Sequence, residues 1–268
     1  MKSRLDKLLF ERGVAPSRER AQALILAGRV LVNDQKVTKA GANVEEESAI
    51  RILGDEQPFV SRGGLKLARA LDHWHIDVRG MCCMDVGAST GGFTDCLLQN
   101  GAARVIAIDT GYGQMDAHLR NDPRVHLLEK TNARHLTPEQ IWVERDAVES
   151  VRFVTMDVSF ISATLVLPAV LRCARASGPE NGTELVVLVK PQFEVGRSRV
   201  GKGGIVRDPQ AQKMAVTRVA DAVRELGGTE IDVIESPILG AEGNREFLLY
   251  ARFGQVWRQE DPAAPATS

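Results

Sequence analysis

The chain has 268 residues, 44 % of them hydrophobic and 26 % charged, with a formal net charge of −1. That composition is ordinary for a folded globular protein and excludes a fully disordered chain, a collagen and a disulfide scaffold. No apolar run approaches the roughly 18–20 residues that span a bilayer, and no apolar segment follows Met-Lys-Ser-Arg-Leu-Asp-Lys at the N-terminus, so a cytoplasmic protein with no membrane partner is expected.

In chain order, Leu5, Leu8 and Leu9 have helical spacing and Gly13 follows as a stop. Ser17 is placed to cap a second helix, with Ala21, Leu24 and Ile25 as its apolar stripe and Gly28 past its end. The period then changes to two at Val30–Val32, with a turn at Asn33-Asp34, Lys36-Val37 beyond it, and a further strand from Ala49 to Leu53. The polar stretch Asp55-Glu56-Gln57-Pro58 reads as a linker. A helix is expected from about Leu65 to Trp74.

Strands and helices alternate after that. Met81–Val86, Val105–Asp109, Val125–Leu128, Phe153–Asp157, Leu185–Val189, Ile231–Ile234 and Phe247–Phe253 read as strands. Phe93–Gln99, Ile161–Arg175 and Pro209–Leu226 read as helices. Continuous apolar strands alternating with helices imply a mostly parallel sheet covered on both faces. The expected organisation is a small unit over 1–56, a linker over 57–61, a large α/β domain over 62–254 and a disordered tail over 255–268.

The charge is unevenly spread. Met1–Lys39 holds nine Lys/Arg against four Asp/Glu, and Lys190–Lys213 holds six against two. Such segments can face a polyanion, although charge alone does not separate that from plain solvated surface. Cys82, Cys83, Cys96 and Cys173 form no Cys-x-x-Cys pair, and His73 and His75 have no ligand cluster beside them, so no metal site is expected.

The most informative stretch is Asp85-Val-Gly87-Ala88-Ser89-Thr90-Gly91-Gly92-Phe93, between a strand and the helix after it. Glycines there let the backbone turn sharply and approach a ligand. Asp109 ends the next strand, where an acidic residue binds ribose hydroxyls. A dinucleotide needs Gly-x-Gly-x-x-Gly, and the anion of Asp85 would oppose its pyrophosphate. The same anion would favour the cationic sulfonium and ammonium of S-adenosylmethionine, which is therefore the preferred ligand over a dinucleotide or a purely structural turn. Two further strand ends carry chemistry: Met156-Asp157-Val-Ser-Phe160 and Val189-Lys190-Pro191-Gln-Phe193-Glu194. A lysine ending the apolar run Leu185–Val189 is a poor choice for packing alone, unless it snorkels or is paired.

These residues also carry a resemblance. The loop Asp85–Phe93, Gly111-Tyr-Gly-Gln, Lys130-Thr-Asn-Ala-Arg134, Asp157-Val-Ser-Phe-Ile-Ser162 and Val189-Lys-Pro-Gln-Phe-Glu-Val-Gly196 together resemble the TlyA family of ribosomal RNA 2′-O-methyltransferases, some of whose members carry a haemolysin name. The N-terminal unit is similar to the RNA-binding domain first seen in ribosomal protein S-four, through Ser17-Arg18, Ala21, Ile25, Gly28, Val30 and Val32-Asn33. The larger domain is similar to the FtsJ-type methyltransferases, with Ser89-Thr90 where those usually have Ala-Pro.

The fold implied is a Rossmann-like S-adenosylmethionine-dependent methyltransferase domain behind a small α+β RNA-binding domain. The function implied is transfer of a methyl group to a ribose, expected to be a cytidine, of ribosomal RNA within a subunit. By motif, the FtsJ-type Lys-Asp-Lys-Glu tetrad falls on Lys66, Asp157, Lys190 and Glu246. The resemblance gives the cofactor to Asp85, Gly87, Ala88, Ser89, Thr90, Gly91, Gly92, Phe93, Asp109, Thr110, Asp157 and Phe160. Phe160 could equally stack on the target base or be a core residue. Candidate phosphate contacts are Arg4, Arg18, Arg20, Lys36 and Lys39 in the small unit, and Arg62, Lys130 and Arg134 near the reacting groups. The short, Pro-rich tail resembles the form that acts on large-subunit RNA alone. The competing expectations are a non-enzymatic RNA-binding module and a haemolysin; the missing membrane span and export signal oppose the latter.

Overall fold

A computed structural model describes residues 2–15, 17–53, 58–141, 150–176, 182–240 and 242–254. The chain divides into two compact units, Met1–Pro58 and Phe59–Ser268. Gly54–Gln57, which holds most of the polar stretch Asp55–Pro58 and the first residue of the expected linker over 57–61, and the tail from Gln255 lie outside the described residues.

In the first unit, β1 (Lys2–Arg4) leads into α1 (Leu5–Glu11), then α2 (Arg18–Leu26), β2 (Val30–Val32), β3 (Gln35–Val37), β4 (Asn43–Glu45) and β5 (Ile50–Ile52). Ser17 caps α2 by accepting from the Arg20 amide, as its position predicts. β2 lies between β3 and β5 in an antiparallel sheet, and Asn33 and Asp34 turn β2 into β3 with positive φ. Leu5, Leu9, Ala21, Ile25, Val30 and Val32 form its small core. The pair β1–β4 has no counterpart among the predicted strands. Three-residue strands such as Lys-Ser-Arg and Asn-Val-Glu are too short to show a hydrophobic period.

The second unit runs α3 (Gly63–His73), β6 (Cys82–Val86), α4 (Gly92–Gln99), β7 (Arg104–Ile108), α5 (Ala117–Arg120), β8 (Val125–Leu128), α6 (Pro138–Ile141), β9 (Val151–Met156), α7 (Leu167–Ala176), β10 (Thr183–Val189), α8 (Pro191–Glu194), α9 (Pro209–Glu225), β11 (Thr229–Glu235) and β12 (Phe247–Phe253). Its seven-stranded sheet has the order β11-β12-β10-β9-β6-β7-β8. The five strands from β6 to β10 are parallel, while β12 runs antiparallel to both β10 and β11. Every residue of β6 is buried, as a central strand covered on both faces requires. Phe59 and Val60, which lie within the expected linker over 57–61, pack against the core on one face of this sheet.

One expected helix is shorter than its apolar pattern suggests. Ile161–Arg175 is a 3-10 turn over Ala163–Leu165 followed by α7 from Leu167. Pro168 explains the break: it donates no N–H, and its ring opposes a helical turn running through from the residues before it.

The strand order reverses at β6, whose neighbours are β7 and β9. Sheets of this kind bind ligands at the carboxyl ends of the strands flanking such a switch point.

Candidate active site

A cavity of about 380 Å³ opens there, lined by residues that include Gly87, Ser89, Asp109, Thr110, Asp157 and Phe160. Three loops build it. The first leaves β6 through Gly87, which has φ +87°. A Cβ at this position would collide with the main-chain carbonyl of Asp157, so glycine is needed for both conformation and close approach. The Gly87 and Ala88 amides donate to the Ile108 carbonyl at 2.8 and 3.1 Å, tying the loop to the end of β7.

The second loop carries Asp109. Its Oδ2 accepts the Ser89 amide at 2.8 Å and its Oδ1 accepts the Gly111 amide at 2.6 Å. A carboxylate has about four acceptor positions, so this rigidly held group retains capacity for two hydroxyls. The third loop runs from Asp157, whose amide donates to the Val86 carbonyl at 2.8 Å. Ser89, Lys130 and Phe160, on three loops of this end of the sheet, all have positive φ (49°, 52° and 64°). Such conformations in residues other than glycine persist only where the surroundings hold them, and they gather at ligand sites.

The glycine loop splits into two groups. Gly87 and Ser89 line the cavity. Ala88 and Phe93 are core residues, and Gly91 and Gly92 are buried where α4 begins; none of these four, nor Thr90, is among the lining residues. Asp85 also departs from expectation. It is fully buried and does not line the cavity; Oδ2 accepts from Thr94 Oγ1 at 2.7 Å and Oδ1 from Thr155 Oγ1 at 3.1 Å. Burial pushes its carboxyl up to about 6, partly offset by those two hydroxyls. Asp85 therefore supports the loop from beneath rather than meeting a ligand directly. Gln114, Thr131, Asn132 and Ile161 line the cavity although the motif reading names none of them. They come from loops whose spatial approach leaves no sequence period.

All four tetrad positions meet in two pairs. Lys190 Nζ lies 2.6 Å from Asp157 Oδ1 and donates to Ser159 Oγ at 2.7 Å. Lys66 Nζ, from α3, lies 2.6 Å from Glu246 Oε2, with both residues buried. Lys190 follows the last residue of β10 and Glu246 precedes the first of β12, and the register pairs Val189 with Phe247. The two residues therefore sit at adjacent positions just beyond that ladder. A Cβ at Gly240 would meet Glu246 Oε1, so the loop before β12 packs closely on the carboxylate.

Phe160 is 92 % exposed at the cavity edge, its ring 5.4 Å from that of Phe193. That removes the core reading of Phe160. Arg62, Lys130 and Arg134 are exposed, and the Lys130 ammonium stands 4.4 Å over the exposed Tyr112 ring. In the first unit, Arg20, Lys36 and Lys39 are exposed. Arg4 and Arg18 both donate to the buried Asp6, which also accepts from Gln22. These bonds, Arg4's above all, hold the Asp6 carboxyl far below the usual range against the cost of burial.

Sheet order, glycine loop and ribose-type carboxylate define an α/β methyltransferase that uses S-adenosylmethionine. The residues present fit that cofactor: Asp109 keeps acceptor positions open for two hydroxyls, and Gly87 brings bare backbone to the cavity. The FtsJ-like methyltransferase family matches residues 59–253, and the S4 domain matches residues 3–50.

The chain is 46 % identical over 252 residues to the 16S/23S rRNA (cytidine-2′-O)-methyltransferase TlyA of Mycobacterium tuberculosis strain H37Rv, covering 94 % of this chain and 90 % of that one. It is 40 % identical to Hemolysin A of Brachyspira hyodysenteriae, covering 92 % and 98 % of the two chains. A solved structure from Streptococcus thermophilus that carries a hemolysin name has 36 % identity and a TM-score of 0.70, covering 97 % and 92 %. The chain belongs to the TlyA family: an FtsJ-like methyltransferase domain preceded by an S4 domain. No helix among the described residues is long and apolar enough to cross a membrane.

Proposed function

We propose that this protein methylates the 2′-hydroxyl of a cytidine ribose in ribosomal RNA. The observation that carries the reading is the pair of lysine–carboxylate contacts, each 2.6 Å: Lys190–Asp157, whose carboxylate residue lines the cavity, and Lys66–Glu246, whose Glu246 is at the strand position next to Lys190. The S4 domain and the relatives that act on rRNA support an RNA substrate.

Bound S-adenosylmethionine supplies the methyl group and a good leaving group. The protein's share is positioning and charge. Gly87, Ser89, Asp109 and Thr110 hold the cofactor, and the tetrad receives the hydroxyl. The ribose hydroxyl that would take up the methyl group would give up its proton at the tetrad. Holding oxygen and methyl within roughly 3–3.5 Å supplies much of the rate. Lys190 faces the developing oxyanion, as its base or its cationic partner, while Asp157 and Ser159 fix its direction. The two lysines and two carboxylates act as a coupled set.

Phe160, exposed at the cavity edge, is placed to stack on an unpaired base. Arg62, Lys130 and Arg134 contact phosphates near the target, and Arg4, Arg18, Arg20, Lys36 and Lys39 contact phosphates through the S4 domain. A folded RNA within a ribosomal subunit suits this two-unit grip.

The test is transfer of label from S-adenosylmethionine to unmodified large and small ribosomal subunits, offered separately, with Lys190→Ala as the control. Label in RNA with the wild type only supports the reading, and the labelled subunit identifies the substrate. A protein that binds cofactor yet labels neither subunit refutes the ribosomal assignment. A protein that binds no cofactor is an RNA-binding module instead.

A further inference from the structure

The β9–β10 ladder ends before the reacting groups. Its last paired residues are Met156 and Val187, one residue before Asp157 and three before Lys190. Past that point the sheet no longer fixes one strand end against the other, yet Asp157 and Lys190 hold a 2.6 Å contact.

Glu194 joins the two ends. It closes α8, the short turn that follows Lys190, and is 3 % exposed. Its Oε2 accepts from Ser162 Oγ at 2.5 Å and its Oε1 from the Ala163 amide at 2.8 Å, both on the segment that follows Asp157. Its own carbonyl accepts from Arg218 of α9 at 2.8 Å, which fixes the near side of the bridge. Burial pushes the Glu194 carboxyl up, so this placement costs solvation and is tolerated because both oxygens are bonded. The bridged segment, Asp157–Ser162, also contains Ser159, the hydroxyl partner of Lys190, and Phe160 with its positive φ. A strained residue of that kind needs fixing on both sides. The Asp157 amide bond to Val86 supplies one side, and Glu194 the other.

We propose that Glu194 is a positioning residue for methyl transfer, stapling the Asp157–Ser162 loop to the Lys190–Glu194 turn so that Asp157 and Lys190 meet. The proposal rests on the reading of Asp157 and Lys190 as a reacting pair.

The test compares Glu194→Ala with Glu194→Gln, by methyl-transfer kinetics, cofactor titration and crystal structures of both variants. Glutamine keeps an oxygen for the Ala163 amide and offers its N–H to Ser162 Oγ, so it retains the bridge. Glu194→Ala is expected to lower kcat by roughly 10- to 100-fold, the usual effect of a small displacement at a reacting centre. The KM for RNA and the Kd for S-adenosylmethionine rise less than kcat falls, because the loop that carries Asp157 and Phe160 is loosened but no binding group is removed. Glu194→Gln recovers most of the lost rate. In the crystal, the Asp157–Lys190 contact opens in the alanine variant and is kept in the glutamine one.

An unchanged contact or an unchanged kcat in Glu194→Ala overturns the proposal, as does a glutamine variant as slow as the alanine. If Glu194→Ala does not fold, Ser162→Ala, which removes one of the two bonds, must show the same kcat-selective loss to a smaller degree; an unaltered kcat there overturns the proposal. If the wild type methylates no ribosomal RNA, the functional reading fails, and the Asp157–Lys190 separation in the variants still decides the staple.

Discussion

Lys66 Nζ and Glu246 Oε2 lie 2.6 Å apart across 180 residues of chain, and neither residue is more than 8 % exposed. Breaking a buried pair by removing one partner strands the other charge, which costs about 3–5 kcal/mol. Glu246→Ala should therefore lower the denaturation free energy of the larger unit by about that amount. The double variant Lys66→Met/Glu246→Leu should recover much of the loss in urea melts and yet transfer no methyl. Recovery of activity with stability would mean the pair is only structural.

Lys190 does not line the cavity, whereas Asp157 does. Lys190→Ala should cut methyl transfer by at least roughly 10²-fold, as expected for a group acting on the proton or the oxyanion. Calorimetric affinity for S-adenosylmethionine should stay close to that of the wild type. Loss of cofactor binding in Lys190→Ala would place its role in folding the site.

Asp85 predicts a pH effect opposite to that of most carboxylates. Its native value of about 6 lies above the ordinary 3.8, so between these pH values the native state holds more protons than the unfolded one. Stability from this group is full below about pH 4 and is lost as pH rises through 6. The loss amounts to roughly 2–3 kcal/mol, since each pH unit separating the native from the unfolded value is worth about 1.4 kcal/mol. Asp85→Asn keeps a partner for Thr94 and Thr155 and removes the titration. The difference in urea stability between Asp85→Asn and wild type should grow in favour of the variant from pH 4.5 to pH 7. No change in that difference would refute the assignment.

In the S4 unit, Arg4 and Arg18 share their guanidinium bonds with Asp6, while Arg20 and Lys39 are exposed. If the unit holds RNA through phosphates, Arg20→Ala and Lys39→Ala should each lower the slope of log K against log salt by ~0.7–0.9. Filter binding to ribosomal RNA over a salt series measures it. Unaltered slopes would make both side chains ordinary surface.

Much of this was readable from residues because several signals agreed. Phe247–Phe253 and Val125–Leu128 appear as strands at the predicted limits, since long apolar or β-branched runs bounded by turn residues leave little choice. Asp157 and Lys190 stand out at strand ends, but Lys66 and Glu246 are reachable only through motif resemblance: Lys66 lies on a helix and Glu246 ahead of a strand, and no local pattern links them. The burial of Asp85 beneath the loop is not legible in the sequence, because all of β6 is buried and alternation cannot reveal which side of a fully covered strand a residue faces. The role of Glu194 is not legible in the sequence, for its partners Ser162 and Ala163 are contacts of tertiary structure. A carboxylate amid Pro191, Phe193 and Val195 was the one available hint.

The reversed direction of β12 has a consequence for how such a site can be assembled. A parallel strand can present only the residue after its end to the reactive rim; the residue before its start lies at the far side of the sheet, seven residues of strand away. Because β12 runs the other way, the residue ahead of Phe247 arrives at the rim beside the residue that follows Val189. Glu246 is thus delivered by a chain entering the sheet, where Asp157 and Lys190 are delivered by chains leaving it. A one-residue slip of β12 would exchange Leu249, Ala251 and Phe253 with Leu248 and Tyr250 between the two covered faces and move the carboxylate off Lys66 in the same step. Fold and chemistry at this edge would therefore fail together.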